Sequence, residues 1–234
     1  MKKFVTITIL TISMSFYLSS AYAGSGHDHG HGKKAKGTSP EKAMGFLKKG
    51  NARYLAGEFR TSGLNQSDRT KVKDGQHPHT IIISCADSRV PPELLFDQKL
   101  GEIFVIRVAG EALDHSVLAS AEYAVEHLGA QNIFVMGHTS CGAVKAALST
   151  KEGESAGSEH LDALVADIRP RVKGTRGIAS EPSPGVALES ASNAEKIALE
   201  IPGRSKIMKE ALEAKKIQIH WGLYHIDTGV VDFH

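Results

Sequence analysis

The sequence predicts an α/β fold: a central, mostly parallel sheet of about four strands with an added edge strand or hairpin, helices on both faces, and an N-terminal helical arm. Two observations carry that class. Short apolar runs at 80–84, 102–110 and 132–136 alternate with longer stretches of helical periodicity, and strand, crossover helix and strand in that order make parallel pairs covered by helices. The closing segment, 216–234, instead holds two strand-like runs around Asp227-Thr228-Gly229, so a strand pair extends the sheet near its edge.

The elements follow in order. Residues 1–23 carry Lys2 and Lys3, an apolar stretch from Phe4 into the Tyr17 region, and a small-residue end at Ala21-Tyr22-Ala23. This is the form of a cleaved secretory signal, too short to be a convincing membrane anchor. Its removal leaves about 210 residues, ample for a real core, in the periplasm or secreted. Residues 24–39 combine glycine, lysine and His27, His29 and His31 without an apolar face and are expected to be a mobile tail. Those histidines could collect metal weakly, but a solvated linker is the preferred reading. One folded domain is expected over 40–234. Ser39 as N-cap and Pro40 at the first helical position open one or two amphipathic helices, with apolar groups at Ala43, Phe46, Leu47, Tyr54 and Leu55.

Thr80 to Ser84 is a β-branched run that reads as a buried strand, and "EIFVIRVAG" as a second. A helix follows from Ser116 to Leu128. After strand 132–136 comes a turn at Gly137 and a helix from about Gly142. Residues 151–158 read as a loop. Helical patterns run from His160 to Val172, pause through 174–185, and return as one stretch from about Ala187 to Ala214.

Charge excludes some function classes. The formal net charge of +2 includes both lysines of the signal, so the remainder is near neutral. No arginine-rich face or aromatic-basic array points to nucleic acid. No second long apolar segment points to stable membrane insertion.

The chain has two cysteines, Cys85 and Cys141, both predicted at the carboxyl ends of strands, where parallel sheets place their chemistry. Cys85 and Asp87 are two apart at a strand end, where alternate side chains share a side. His138 and Cys141 form an H-x2-C pair after another strand. Together these residues supply Cys2His, a soft ligand set suited to zinc, with a fourth position left for water or Asp87. Other readings stay open on the residues alone: a core cysteine, a thiol nucleophile with its base, or a disulfide in an exported chain. Asp87 beside a metal would orient a bound water or, turned inward, become the fourth ligand; an ion pair with Arg89 would hold it away. Two thiolates make zinc a poorer Lewis acid than three histidines, so activity should favour mildly alkaline conditions.

At this point the chain resembles the β-class carbonic anhydrases, of exported bacterial type. The matching pieces are "CADSR" with "VPPELLF", "GEIFVIRVAG", "EYAVEHLG" and "GHTSCGAVKAAL". The resemblance implies a lyase that reversibly hydrates carbon dioxide to bicarbonate and a proton by zinc-hydroxide attack. By residue match it makes Cys85, His138 and Cys141 the ligands of one zinc per chain, with Asp87 and Arg89 as the catalytic dyad. It also implies that Gln76, Phe104 and Tyr123 line a substrate pocket at a subunit interface, in a homodimer or homotetramer. Activity on carbonyl sulfide or carbon disulfide remains open. His77, His79 and His115 are candidates for a proton shuttle, each read first as an ordinary surface histidine. The family often has asparagine where this chain has Val108 and Glu111, and Glu111 is expected to alter the pocket rim or interface rather than the metal shell. Ile82 stands where a bicarbonate-regulated subgroup often has tryptophan, so that regulation is not expected.

Overall fold

The computed structural model describes residues 37–175 and 183–234. The expected signal (1–23), His27, His29, His31 and most of the tail lie outside these residues, as does much of the 174–185 pause.

A five-stranded sheet forms the centre: β1 (Thr80–Cys85), β2 (Ile103–Val108), β3 (Asn132–His138), β4 (Gln218–Tyr224) and β5 (Val231–Phe233), in the order β2-β1-β3-β4-β5. The first four are parallel and β5 is antiparallel to β4, as the sequence predicts. β1 and β3 are buried along their whole length, which explains why their runs are apolar without alternation.

Alternate residues feed two layers. Ile81, Ile83, Ile133 and Val135 pack with Val117 and Ala121 of α4 (His115–Glu126), Ile197 and Ile201 of α7 (Ala187–Arg204), and Met208 of α8 (Lys206–Glu213). On the opposite face Ile82, Phe134 and Met136 pack with Met44 and Leu47 of α1 (Pro40–Ala56). Each fully buried isoleucine contributes about 1.5–3 kcal/mol. A third cluster joins Cys85 and Cys141 to Val144 and Ala147 of α5 (Gly142–Ser149) and to Val165 and Ile168 of α6 (Glu159–Val172). The metal-ligand candidates are therefore walled by helix side chains on one side.

The helical arm begins as predicted. Ser39 accepts the Lys42 N–H, and Pro40 follows at the first position. The arm docks closely because position 50 is glycine: a Cβ there would lie 1.7 Å from the Phe96 carbonyl oxygen. Asn51 donates to the Leu95 and Gly229 carbonyls and accepts from the Val231 N–H, tying the arm to the sheet's far edge. A separate short helix, α2 (Gln66–Lys71), and a single turn, α3 (Pro92–Leu95), complete the layer.

β3 runs on through Gly137 to His138, where the sequence suggested a turn at Gly137, and two further boundaries differ from expectation. The stretch from Ala187 to Ala214 is two helices, α7 and α8, broken at Ser205, whose hydroxyl caps α8 through Met208 N–H and donates to Glu122. A serine three residues after Pro202 offers the backbone this alternative to continuing the helix. The second strand ends at Val108 rather than Gly110, because Ala109–Glu111 form a 3-10 turn with Gly110 and Glu111 both left-handed, at φ 60 and 52. Among the described residues no helix is long and apolar enough to cross a membrane.

Candidate metal centre

Cys85 ends β1 and His138 ends β3, its hydrogen-bonded neighbour, so parallel pairing delivers both side chains to one edge of the sheet. Cys141 arrives by a tight turn. Ser140 is left-handed at φ 59, its N–H meets the Gly185 carbonyl at 2.5 Å, and Cys141 becomes the residue that opens α5. The ligand atoms of Cys85, His138 and Cys141 lie within 4.8 Å of one another, and all three residues are buried. Both cysteines are free thiols rather than halves of a disulfide.

The donor set suits a cation. His138 Nδ1 donates to the Thr139 carbonyl at 2.9 Å, which fixes the tautomer and leaves Nε2 as a lone-pair nitrogen. That Nε2 is buried without a hydrogen-bond partner, a cost that a metal bond would remove. The Cys85 thiol is pulled below its ordinary value, first by its hydrogen bond with Cys141, against the burial that raises it. Cys141 is pushed up, because its proton is held by Cys85 and because it is buried. The pair thus shares one proton, which a divalent cation would displace. Two sulfurs and one imidazole fit one zinc per chain, with a coordination position to spare.

Asp87 stands beside this set without joining it. Its Oδ1 accepts from Arg89 Nε and from the Arg89 backbone N–H, each at 2.9 Å, and its Oδ2 accepts from Arg89 Nη2 at 2.6 Å. The guanidinium fork holds the carboxyl well below the usual carboxylate range. Oδ2 is 3.9 Å from His138 Nε2. Arg89 Nη2 also donates to the Ser140 carbonyl at 3.4 Å, which links the Asp87 turn to the turn carrying Cys141.

Two supports were not legible as site residues. Arg107, in β2, donates to the Cys85 carbonyl at 3.0 Å and to the Asp87 carbonyl at 2.6 Å; its signal was a lone charge inside "FVIRV". Gly110 donates its N–H to Cys85 Sγ at 3.3 Å. Glu111, expected at a rim, is instead fully buried, and accepts from Asn193 of α7 at 3.1 Å. The left-handed turn at 110–111 swings it inward. His79 is likewise not a surface histidine. It is buried at the base of β1, with its ring nitrogens bonded to Thr80 and Gln98 at 2.8 and 2.9 Å.

The three pocket residues are not brought to the metal set of their own chain. Gln76 is exposed four residues ahead of β1, so a strand roughly 17 Å long separates it from Cys85. Phe104 pairs with Ile81, at the far end of β2 from the Cys85–Val108 pair. Tyr123, half exposed on α4, packs against His127 with ring centroids 5.0 Å apart.

A parallel α/β sheet with a buried Cys2His set at its carboxyl edge defines a metalloprotein whose centre leaves one position open. The comparisons give the family. A family model described as carbonic anhydrase matches residues 80–231, and the chain belongs to that family, in its β class. It is 42% identical over 135 residues to carbonic anhydrase 2 of Mycobacterium tuberculosis, a match covering 58% of this chain and 65% of that protein. It is 35% identical over 177 residues to a carbonic anhydrase of Pseudomonas aeruginosa, covering 67% and 73%. Among solved structures it is similar to a β-carbonic anhydrase from Coccomyxa in complex with acetazolamide, with a TM-score of 0.61, 26% identity, and coverage of 82% and 81%.

Proposed function

We propose that this protein is a zinc carbonic anhydrase that interconverts carbon dioxide and water with bicarbonate and a proton. The observation that carries the reading is a carboxylate clamped by an arginine beside, and outside, a Cys2His ligand set. A purely structural metal site has no need of that dyad. When bound by Cys85, His138 and Cys141, zinc would supply a Lewis acid that promotes ionisation of water, less strongly than a three-histidine zinc would.

The chain's own residues do the rest. Asp87, kept ionised by Arg89, accepts the hydrogen bond of the attacking oxygen and fixes its orientation. If the pair opened, the Asp87 carboxylate could take the position left by the three ligands and close the site. Arg107 holds the two peptide carbonyls that frame Asp87, so the carboxylate does not drift. Carbon dioxide is small and apolar, and needs a dry wall and one donor. Phe104 and Tyr123 provide the wall and the Gln76 amide the donor, all three from a second copy. What supports this is their distance from Cys85 within one chain and their accessibility, with Phe104 on the edge strand β2. The active unit is then at least a dimer, with dimer and tetramer both compatible. Residues 40–234 form the catalytic domain, and the pattern of residues 1–23 supports export to the periplasm or beyond the cell, with 24–39 as a flexible tail.

Metal stoichiometry combined with stopped-flow acidification on mixing with carbon dioxide tests the function. One zinc per chain with turnover is expected. A zinc-loaded protein without hydration activity between about pH 7 and 9 sinks the reading, and sulfide release from carbonyl sulfide in its place assigns the other substrate class. Asp87→Asn should keep zinc and lose about 10²- to 10⁴-fold in turnover. N-terminal sequencing of the mature protein tests export.

A further inference from the structure

Glu111 combines two unfavourable features. Its backbone is left-handed at φ 52, a conformation that glycine adopts freely and other residues do not. Its side chain is fully buried, and burial, reinforced by the Cys85 thiolate, pushes its carboxyl well above the usual range. Oε1 has no hydrogen-bond partner. Strain and desolvation concentrated at one position persist when the residue acts on something nearby.

Its connections lead to the metal set. Asn193 Nδ2 donates to Glu111 Oε2 at 3.1 Å and to the Gly110 carbonyl at 2.8 Å. The N–H of Gly110 then donates to Cys85 Sγ at 3.3 Å. Gly110 has little room to move, since a Cβ there would lie 2.5 Å from Ile168 Cδ1 and 2.9 Å from Ala143 Cβ. We infer that Glu111 is a positioning residue for the metal centre: through Asn193 it fixes the Gly110 peptide so that its N–H points at the Cys85 sulfur, setting how strongly that sulfur donates to a bound cation. Glu111 Oε1 and Asn193 Oδ1 are both buried without a hydrogen-bond partner. An N–H bond to a thiolate draws electron density from the sulfur, and such outer partners tune the metal they do not touch.

The inference rests on the metal reading of Cys85, His138 and Cys141. Its test uses two substitutions with opposite expectations. Glu111→Gly keeps the left-handed backbone at no steric cost and removes the acid, whereas Glu111→Gln keeps an acceptor for Asn193. Release of bound zinc to a chelator, and the thiolate-to-metal charge-transfer band of the cobalt-substituted protein, are compared with the thermal midpoint. Wild type and Glu111→Gln should release metal at rates within about threefold of each other, with the same band. Glu111→Gly should fold, release metal about 10- to 100-fold faster because the Cys85 sulfur is no longer held in place, and move the band to longer wavelength as that sulfur regains electron density. Unchanged release and band in Glu111→Gly overturns the inference, as does a Glu111→Gln variant as defective as Glu111→Gly. Should Glu111→Gly fail to fold, Asn193→Ala is read by the same criteria. Wild type that takes up no metal sinks the metal reading itself, whereas a metal-binding wild type indifferent to Glu111→Gly sinks this inference alone.

Discussion

Gly137→Ala perturbs the strand that carries His138 without touching a ligand. Position 137 faces α7, and a Cβ built there would lie 2.7 Å from the Ser190 carbonyl oxygen and 3.4 Å from Ala194 Cβ. Contact at ordinary distance needs a separation of roughly 0.5 Å or more, and the obstacle is backbone, which no rotamer change relieves. Nor is α7 free to retreat. Ser192 and Lys196 both donate to the Arg171 carbonyl at 2.8 Å, and Asn193 holds Gly110. Overpacking of this kind costs about 1–3 kcal/mol, and in a chain of this size each kcal/mol moves the melting temperature by about 2–4 °C. The variant should therefore melt about 2–12 °C below wild type. Because His138 is the next residue, its Nε2 should also be misplaced. Calorimetry of the zinc-loaded protein, with metal content after exhaustive dialysis, reads both effects. A melting temperature within about 1 °C of wild type, with full metal content, refutes the close β3–α7 packing on which the estimate depends.

Other expectations follow from the same kind of reading. In α1, Gly45→Ala meets nothing within 4 Å and should stabilise by about 0.5–1 kcal/mol, whereas Gly50→Ala drives a methyl into the Phe96 carbonyl and should cost about 3 kcal/mol or more, or prevent folding; urea titration of both distinguishes the two signs. Arg107→Met removes the donors to the Cys85 and Asp87 carbonyls and should lower kcat about 10- to 100-fold with zinc retained, and Arg107→Lys should not rescue it, since one ammonium lacks the guanidinium fork; wild-type kcat in Arg107→Lys argues against that role. Glu111 gives a pH signature: its folded carboxyl is raised by burial and by the facing Cys85 thiolate, so above its unfolded value of about 4.3 the unfolded chain binds fewer protons, and stability falls by up to about 1.4 kcal/mol per pH unit until the folded group ionises. Glu111→Gln removes that contribution, so its stability advantage over wild type in urea unfolding should widen as pH rises above about 5; a constant difference contradicts the raised carboxyl.

The sheet was readable because its signal is local. Ile81, Ile82 and Ile83 have no polar interruption because helices cover both faces of β1, so burial itself wrote the pattern into consecutive residues. The helix boundaries were less readable because they turn on single residues with competing options. Ser205 is unremarkable inside a helical run until its hydroxyl is seen bonded to Met208 N–H and Glu122, 83 residues away in the chain. The end of β2 was missed for a related reason. Gly110 announces a break, but Glu111 at φ 52 does not, since an acid is an unfavoured occupant of that backbone state.

The site divides along the same line. Cys85, His138 and Cys141 could be picked out because the chain's two cysteines fall at or just past strand ends with His138 three residues before one of them, and adjacent parallel strands end together. Whether Asp87 turns toward the ligand set or away is a different kind of question, because the spacing of Asp87 and Arg89 permits both. Contacts from two distant segments and one local bond decide it. Arg89 is anchored across to the Ser140 carbonyl, Arg107 grips the carbonyl of Asp87 itself, and the backbone N–H of Arg89 closes on Oδ1. With the peptide held from β2 and the guanidinium from the turn before α5, the carboxylate meets a rigid fork on one side and a ligand set 3.9 Å away on the other. Closing the site would break two guanidinium bonds and gain one metal bond. The balance therefore lies in how firmly Arg89 and Arg107 are themselves held, which is a property of the assembled sheet edge and of no short stretch of sequence.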